Sequence, residues 1–229
     1  MEKDWTAVRE EMNERGLAIL STGISGKQGD ELISNYENPN SYHKAITVER
    51  YRFGLGEYKY FNYPLPGLIQ TRSENAYAPL SFIANDRMKG LNTGRLFPRT
   101  FSEFQTLCHA HKQTKPTVLI LKYGQEGHNR IHQDLCGDIF FPIQLVVLLN
   151  EPGEDDTGCE LILAQQTPRA QAKAIVLAPR NGDMLLFPTN FRLVKGTRGC
   201  YRVTMKHGVS EIREGERHTV GIIFHDAIS

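Results

Sequence analysis

Residues 116–150 read PTVLILKYGQEGHNRIHQDLCGDIFFPIQLVVLLN, and this stretch decides the fold. Residues 117–123 and 140–150 are short apolar runs on either side of a polar segment, the pattern of buried strands joined by turns. The same texture runs to the C-terminus. Strands are predicted over 117–123, 131–134, 140–150, 160–164, 174–178, 183–187, 200–207 and 217–225, with breaks at Pro152-Gly153, Asn181-Gly182 and Lys195-Gly196. Strands of this kind in succession predict an antiparallel double-sheet jelly roll.

Upstream of Pro116 the pattern is different. Asp4 is placed to cap a helix carrying Trp5, Val8 and Met12 on one side, and Gly16 stops it before the apolar run 17–20. A polar helix is predicted over 27–36. Residues 51–61 alternate aromatic and polar side chains around Gly54 and Gly56, which predicts a bent strand or hairpin closed by Pro64 and Pro66. Two further helices are predicted over 74–91 and 101–112. The expected fold class is therefore α+β, mainly β. A mainly helical part, 1–115, buttresses a β core, 116–229, within a single domain of 229 residues.

Composition narrows the classes of function. No run of about 18 apolar residues is present to cross a membrane, and residues 1–11 are charged rather than signal-like, so a soluble cytoplasmic protein is expected. Cys108, Cys136, Cys159 and Cys200 show neither paired spacing nor scaffold density and read as reduced thiols. Lys plus Arg at 27 against Asp plus Glu at 26 leaves no global field to draw the chain to a polyanion. The densest basic stretch is 192–202, with Arg192, Lys195, Arg198 and Arg202, and it reads as a solvated turn between two strands.

Within this frame one cluster carries chemistry. On an alternating strand His132 and Asp134 share a face two positions apart, where an imidazole and a carboxylate can hold one metal ion. His207 is the preferred third ligand, because it ends the alternating series Tyr201, Val203, Met205 and Gly208 then lets the chain turn away. His218 and His225 are the competitors: the first should point away from its neighbour Arg217, and the second has the right parity but lies near the C-terminus. Two His and one carboxylate on one side of an octahedron leave the opposite side open, as in non-heme Fe(II) oxygenases, while catalytic zinc is the rival. Arg217 favours iron, since its planar fork suits the distal carboxylate of 2-oxoglutarate, with Tyr123, Gln144 and Thr219 as further hydrogen-bond partners. Gln144 lies between Ile143 and Leu145 and needs a partner if buried.

The stretches YRFGLGEYKYFNYPLP, PTVLILKYGQEGHNRIHQDLCG, FPIQLVVLLNEPGEDDTGCELIL and GTRGCYRVTMKHGVSEIREGERHTVGIIFHDA together span most of 51–227. They resemble the Fe(II)/2-oxoglutarate dioxygenases often labelled as oxygenases of damaged nucleic acid. The resemblance implies a cupin-like double-stranded β-helix core, iron on the residues matching His132, Asp134 and His207, and 2-oxoglutarate on the one matching Arg217. It also implies oxidation of a substrate C–H bond by O2, with release of succinate and CO2. The chain departs from the family in having Gly158-Cys159-Glu160 where relatives have Gly-Gly-Glu, and Phe191-Arg192-Leu193-Val194 where they have His-Arg-Pro-Val. Iron binding is expected to survive these changes, and substrate choice to differ.

The substrate wall is expected from Tyr58, Tyr60 and Phe61, with Ile222 and Phe224 as pocket or core. The preferred substrate is a small polar metabolite, an amino acid or a derivative, given the neutral charge and compact chain. The alternative is an alkylated nucleic-acid base, with the basic turn gripping phosphate. A metal-free β-helix acting as a binding module is the third reading.

Overall fold

Among the described residues, four α-helices fall in the first half of the chain with four short strands between them, and eleven strands follow. The structure, a computed structural model, describes every residue except 1–3, Thr22, Cys136 and Arg198, and leaves out the side chain of Tyr51. Cys136 and the Arg198 of the basic turn thus lie outside the described residues. The elements are α1 (Trp5–Glu14), β1 (Ala18–Leu20), α2 (Gly26–Ser34), β2 (Tyr42–Thr47), β3 (Gly54–Leu55), β4 (Glu57–Phe61), α3 (Gly67–Gly90) and α4 (Phe101–Ala110). There follow β5 (Leu119–Tyr123), β6 (His128–His132), β7 (Ile143–Leu148), β8 (Asp156–Gly158), β9 (Leu161–Gln166) and β10 (Ala172–Leu177). The chain ends with β11 (Met184–Pro188), β12 (Phe191–Gly196), β13 (Gly199–Val209), β14 (Ile212–Gly215) and β15 (Arg217–Ile223).

The sheets face each other as a double-stranded β-helix. The major sheet has the order β1-β11-β7-β15-β5-β4-β2 and the minor one β10-β9-β13-β6-β3, with β12 paired to β13 and a separate β8–β14 ribbon. All seven residues of β15 are buried, because both its faces are covered. Its alternation sends Arg217, Thr219, Gly221 and Ile223 into a cavity between the sheets, and Val220 and Ile222 to a core under the helices. β7 divides in the same way: Gln144, Val146 and Leu148 line the cavity while Ile143, Leu145 and Val147 join the helical core. That core includes Tyr77 of α3 and Phe104 of α4, stacked at 5.4 Å, with Phe141 at 4.9 Å and Phe224 at 5.7 Å from Tyr77. A second apolar cluster, with Leu163, Leu185, Phe187 and Met205, lies between the sheets.

Several expectations are corrected. The 1–115 part is not only an outer buttress, since β1, β2 and β4 extend the major sheet and β3 the minor one. Helix α3 begins seven residues earlier than predicted and runs through Pro79, with Pro66 at its N-cap; Ile69, Ser73, Ala76 and Tyr77 bury one stripe along it. The 192–202 stretch is the β12–β13 hairpin and not a solvated turn: Phe191 pairs with Thr204 and Gly196 with Gly199. Arg192 is 7% exposed, and its Nη2 donates to the Glu14 carbonyl at 2.7 Å and to that of Asn13 at 3.4 Å. These are last-turn carbonyls of α1, left without helical partners, and a cation there suits the helix dipole. Among the described residues no helix is long and apolar enough to cross a membrane.

Candidate metal centre and cavity

β6 ends at His132, so Asp134 lies in the loop beyond it and not on the predicted strand. What holds the loop is Gln133, whose amide nitrogen donates to the carbonyls of Asn190 and Met205 at 2.8 and 2.9 Å. Asp134 is thereby turned toward both imidazoles. Its Oδ1 lies 3.5 Å from His132 Nε2 and its Oδ2 lies 3.1 Å from His207 Nε2. The two rings, on paired strands with His207 opposite His132, have centroids 4.2 Å apart. Gly208 does not end β13, which continues to Val209. Its role is close approach, since a Cβ there would meet the Asn129 carbonyl at 2.7 Å. Tyr201 is 39% exposed, because the outer part of β13 pairs only within the hairpin.

One ligand atom from each of His132, Asp134 and His207 lies within 4.8 Å of the others, a spacing open to one metal ion. The donor chemistry fits. His132 Nδ1 is 2.6 Å from the Arg130 carbonyl, which only accepts, so the neutral ring keeps its proton on Nδ1 and offers Nε2 as a ligand atom, while the protonated ring also donates from Nε2 to Asp134. His207 Nδ1 is 3.3 Å from the Gln144 amide, which serves either tautomer by a half-turn. Burial alone would raise the Asp134 carboxyl, but the charge and hydrogen bonds of His207 and His132 hold it well below the usual range. Burial alone would lower the His132 imidazole, and its hydrogen bond and charge pairing with Asp134 outweigh that and raise it. The competitors are placed elsewhere. His218 packs edge-on against Tyr36, and buried His225 accepts the Phe141 N–H at its Nδ1.

From this cluster a cavity of about 290 Å³ opens between the sheets. Arg217 lines it but is already engaged: Nε and Nη2 hold the Asp156 carboxylate, the first at 3.0 Å, and Nη1 donates to the Cys159 carbonyl at 2.5 Å. Three of five N–H groups are used, leaving one on each terminal nitrogen. Tyr123 and Thr219 line the same cavity; the Tyr123 hydroxyl accepts from Asn129 at 3.2 Å, and burial raises it further from ionisation. Gln144 is at the wall, with its amide on His207.

Tyr58 and Tyr60 line the cavity, edge to face at 5.4 Å. Phe61 does not. Neighbours on a strand face opposite ways, so Phe61 turns from Tyr60 into the helical core against Tyr42, at 5.1 Å. Ile222 and Phe224 are likewise core, buried beneath α3 and α4. Sequence reasoning missed three residues. Phe53, 51% exposed, lies at the cavity in the bent segment already singled out for its aromatics. Asp156 reads as part of an acidic turn, with no sequence signal to tie it to Arg217, and Cys159 stands out only as a departure from the Gly-Gly-Glu of the resembled family, which gives it no partner.

Over residues 56–227 the chain matches the profile of a family described as "Oxygenase, catalysing oxidative methylation of damaged DNA". The chain belongs to this oxygenase family. Uncharacterized protein MT2286 of Mycobacterium tuberculosis (strain CDC 1551 / Oshkosh) is 38% identical to it over 167 residues, 73% of this chain and 72% of the relative. In fold the oxygenase is similar to a Pseudomonas putida prolyl-4-hydroxylase, at TM-score 0.56 and 13% identity, covering 96% of this chain and 98% of that one. It is also similar to an oxidoreductase of the 2OG-Fe(II) oxygenase family from Burkholderia pseudomallei, at TM-score 0.54 and 11% identity, covering 99% and 94%. At such identities the likeness is one of fold, and it agrees with the paired sheets described above.

Proposed function

We propose that this oxidoreductase is an Fe(II)- and 2-oxoglutarate-dependent oxygenase that oxidises a C–H bond of a small polar metabolite, an amino acid or a derivative of one. The observation that carries the proposal is the His132–Asp134–His207 cluster at one cavity whose wall also bears Arg217. In this reading the three residues hold iron. Bound iron supplies oxidation of the C–H bond by O2, coupled to conversion of 2-oxoglutarate to succinate and CO2. Arg217 takes the distal carboxylate on its two remaining N–H groups, with the Tyr123 and Thr219 hydroxyls beside it. Tyr58, Tyr60 and Phe53 shield the reacting end from water. A cavity of about 290 Å³ that must also take the co-substrate leaves room for a small molecule. The tie of Arg192 to α1 also removes one of the basic groups that a phosphate grip at the hairpin needed. The proposal treats 1–229 as one domain, since α1, α3 and α4 share a core with β5, β7 and β15. It places the protein in the cytoplasm, where the free thiols Cys108, Cys159 and Cys200 stay reduced.

One observation favours oxidative demethylation of an alkylated nucleic-acid base. A second hollow of about 330 Å³, lined by His43, Lys44 and Lys115, shares Phe53, Tyr58 and Tyr60 with the first. Cations beside aromatic rings suit phosphate and base together. The deciding measurement is O2-dependent succinate formation with Fe(II) and 2-oxoglutarate. Stimulation by pooled amino acids supports the metabolite; stimulation by an alkylated oligonucleotide alone overturns it; no formation under any condition favours the binding module.

A further inference from the structure

We propose that Cys159 sets the length of the oxo acid this site accepts. The inference rests on the reading of the cavity as a 2-oxoglutarate site and goes on to name the residue that measures the co-substrate. Cys159 has φ +55, in the left-handed region where glycine sits without cost and other residues rarely do. Its backbone carbonyl accepts from Arg217 Nη1, and its side chain lines the cavity, 2% exposed. Behind it Ile212 is fully buried. The position along the cavity follows from strand register. His207 stands opposite Leu163 and Val209 opposite Leu161, and Cys159 precedes Leu161 by two residues. The cavity therefore runs from the imidazole past Val209 to Cys159, where Asp156 and the Cys159 carbonyl hold Arg217 in place.

The consequence is steric. An acid whose one end is fixed at His132, Asp134 and His207 and whose other end meets Arg217 has a set span. One additional methylene drives its distal carboxylate past the guanidinium into the CH2–SH group, which is packed against buried Ile212. Burial also pushes the thiol up to about 12, so it meets a carboxylate as a neutral wall. A closed pocket discriminates against one methylene by about 10- to 200-fold.

The test is calorimetric binding of 2-oxoglutarate and of 2-oxoadipate, one methylene longer, to the protein loaded with Mn(II) in place of iron. Wild type is expected to prefer 2-oxoglutarate by at least about tenfold. Cys159→Gly, which relieves the left-handed backbone and should melt no lower than wild type, is expected to lose most of that preference by gaining affinity for 2-oxoadipate. Cys159→Ser, nearly the same size, is expected to keep it. A Cys159→Gly protein that binds 2-oxoglutarate with the wild-type preference intact overturns this inference alone. Wild type that binds neither acid overturns the 2-oxoglutarate reading and this inference with it.

Discussion

Asp156→Ala should be among the most destabilising single changes in the β8–β15 region, and formate, a carboxylate small enough to take its place, should partly repair it. The side chains of Asp156 and Arg217 are 0% and 3% exposed, and two charge-assisted hydrogen bonds join them. Among the described residues, deleting the carboxylate leaves a buried guanidinium with Cys159, chiefly its carbonyl, as the remaining hydrogen-bond partner. Breaking a buried ion pair from one side costs about 3–5 kcal/mol. For a chain of this length each kcal/mol moves Tm by about 2–4 °C, so the loss should be roughly 6–20 °C. The assay is thermal and urea unfolding of wild type, Asp156→Ala and the double variant Asp156→Ala/Arg217→Met. The double variant, with no orphaned charge, should recover much of the loss, and so should formate added to the single variant, by filling the Nε and Nη2 edge of Arg217 that the carboxylate has left. The reasoning fails if Asp156→Ala costs less than about 1 kcal/mol, the scale of an ordinary hydrogen bond, or if the double variant is no more stable than the single.

Three further predictions are sharper in direction than in size. His132→Ala, Asp134→Ala and His207→Ala should each abolish O2-dependent succinate formation, and an active His207→Ala enzyme would move the third ligand elsewhere. Burial pushes the His225 imidazole down to about 4 from its ordinary 6.5. The unfolded chain therefore takes up this proton first, and the stability present above about pH 6.5 is lost as pH falls toward 4. That gap is worth at most about 3 kcal/mol. His225→Asn, which keeps an acceptor for the Phe141 N–H, should flatten denaturant stability in this window relative to wild type; equal slopes would refute it. His218, also lowered by burial, acts in the same direction in both proteins. Phe224→Ala should cost about 3–5 kcal/mol through loss of packing against Tyr77, Phe101 and Phe141, while the KM of the folded enzyme stays at the wild-type value. A raised KM with unchanged stability would return Phe224 to the substrate wall.

The strands of the core are legible from apolar runs broken by turn residues. β5, β7 and β15 are legible as near-continuous apolar runs because little of any of them faces solvent and they carry few charges. β12 was not read, because Arg192 and Lys195 look solvated until α1 is seen to end on Arg192. Parity also fails in a particular way on a strand buried on both faces. It says that Ile222 and Phe224 share a side, but not whether that side looks at helices or at the cavity. For Phe61 the same parity, applied strictly, would have separated it from Tyr58 and Tyr60.

By itself the sequence determined that a β core follows residue 116 and that His132, Asp134, His207 and Arg217 are chemically matched to one another. Residue type and short spacing carry that information, and both are local. Only the tertiary structure decided that Gln133 turns Asp134 toward the imidazoles, that Gln144 meets His207 across 63 residues, and that Asp156 engages Arg217 across 61. Those partners are set by strand register and by which sheet each strand joins. A one-residue slip would turn each of them to the opposite face, and no local pattern excludes it.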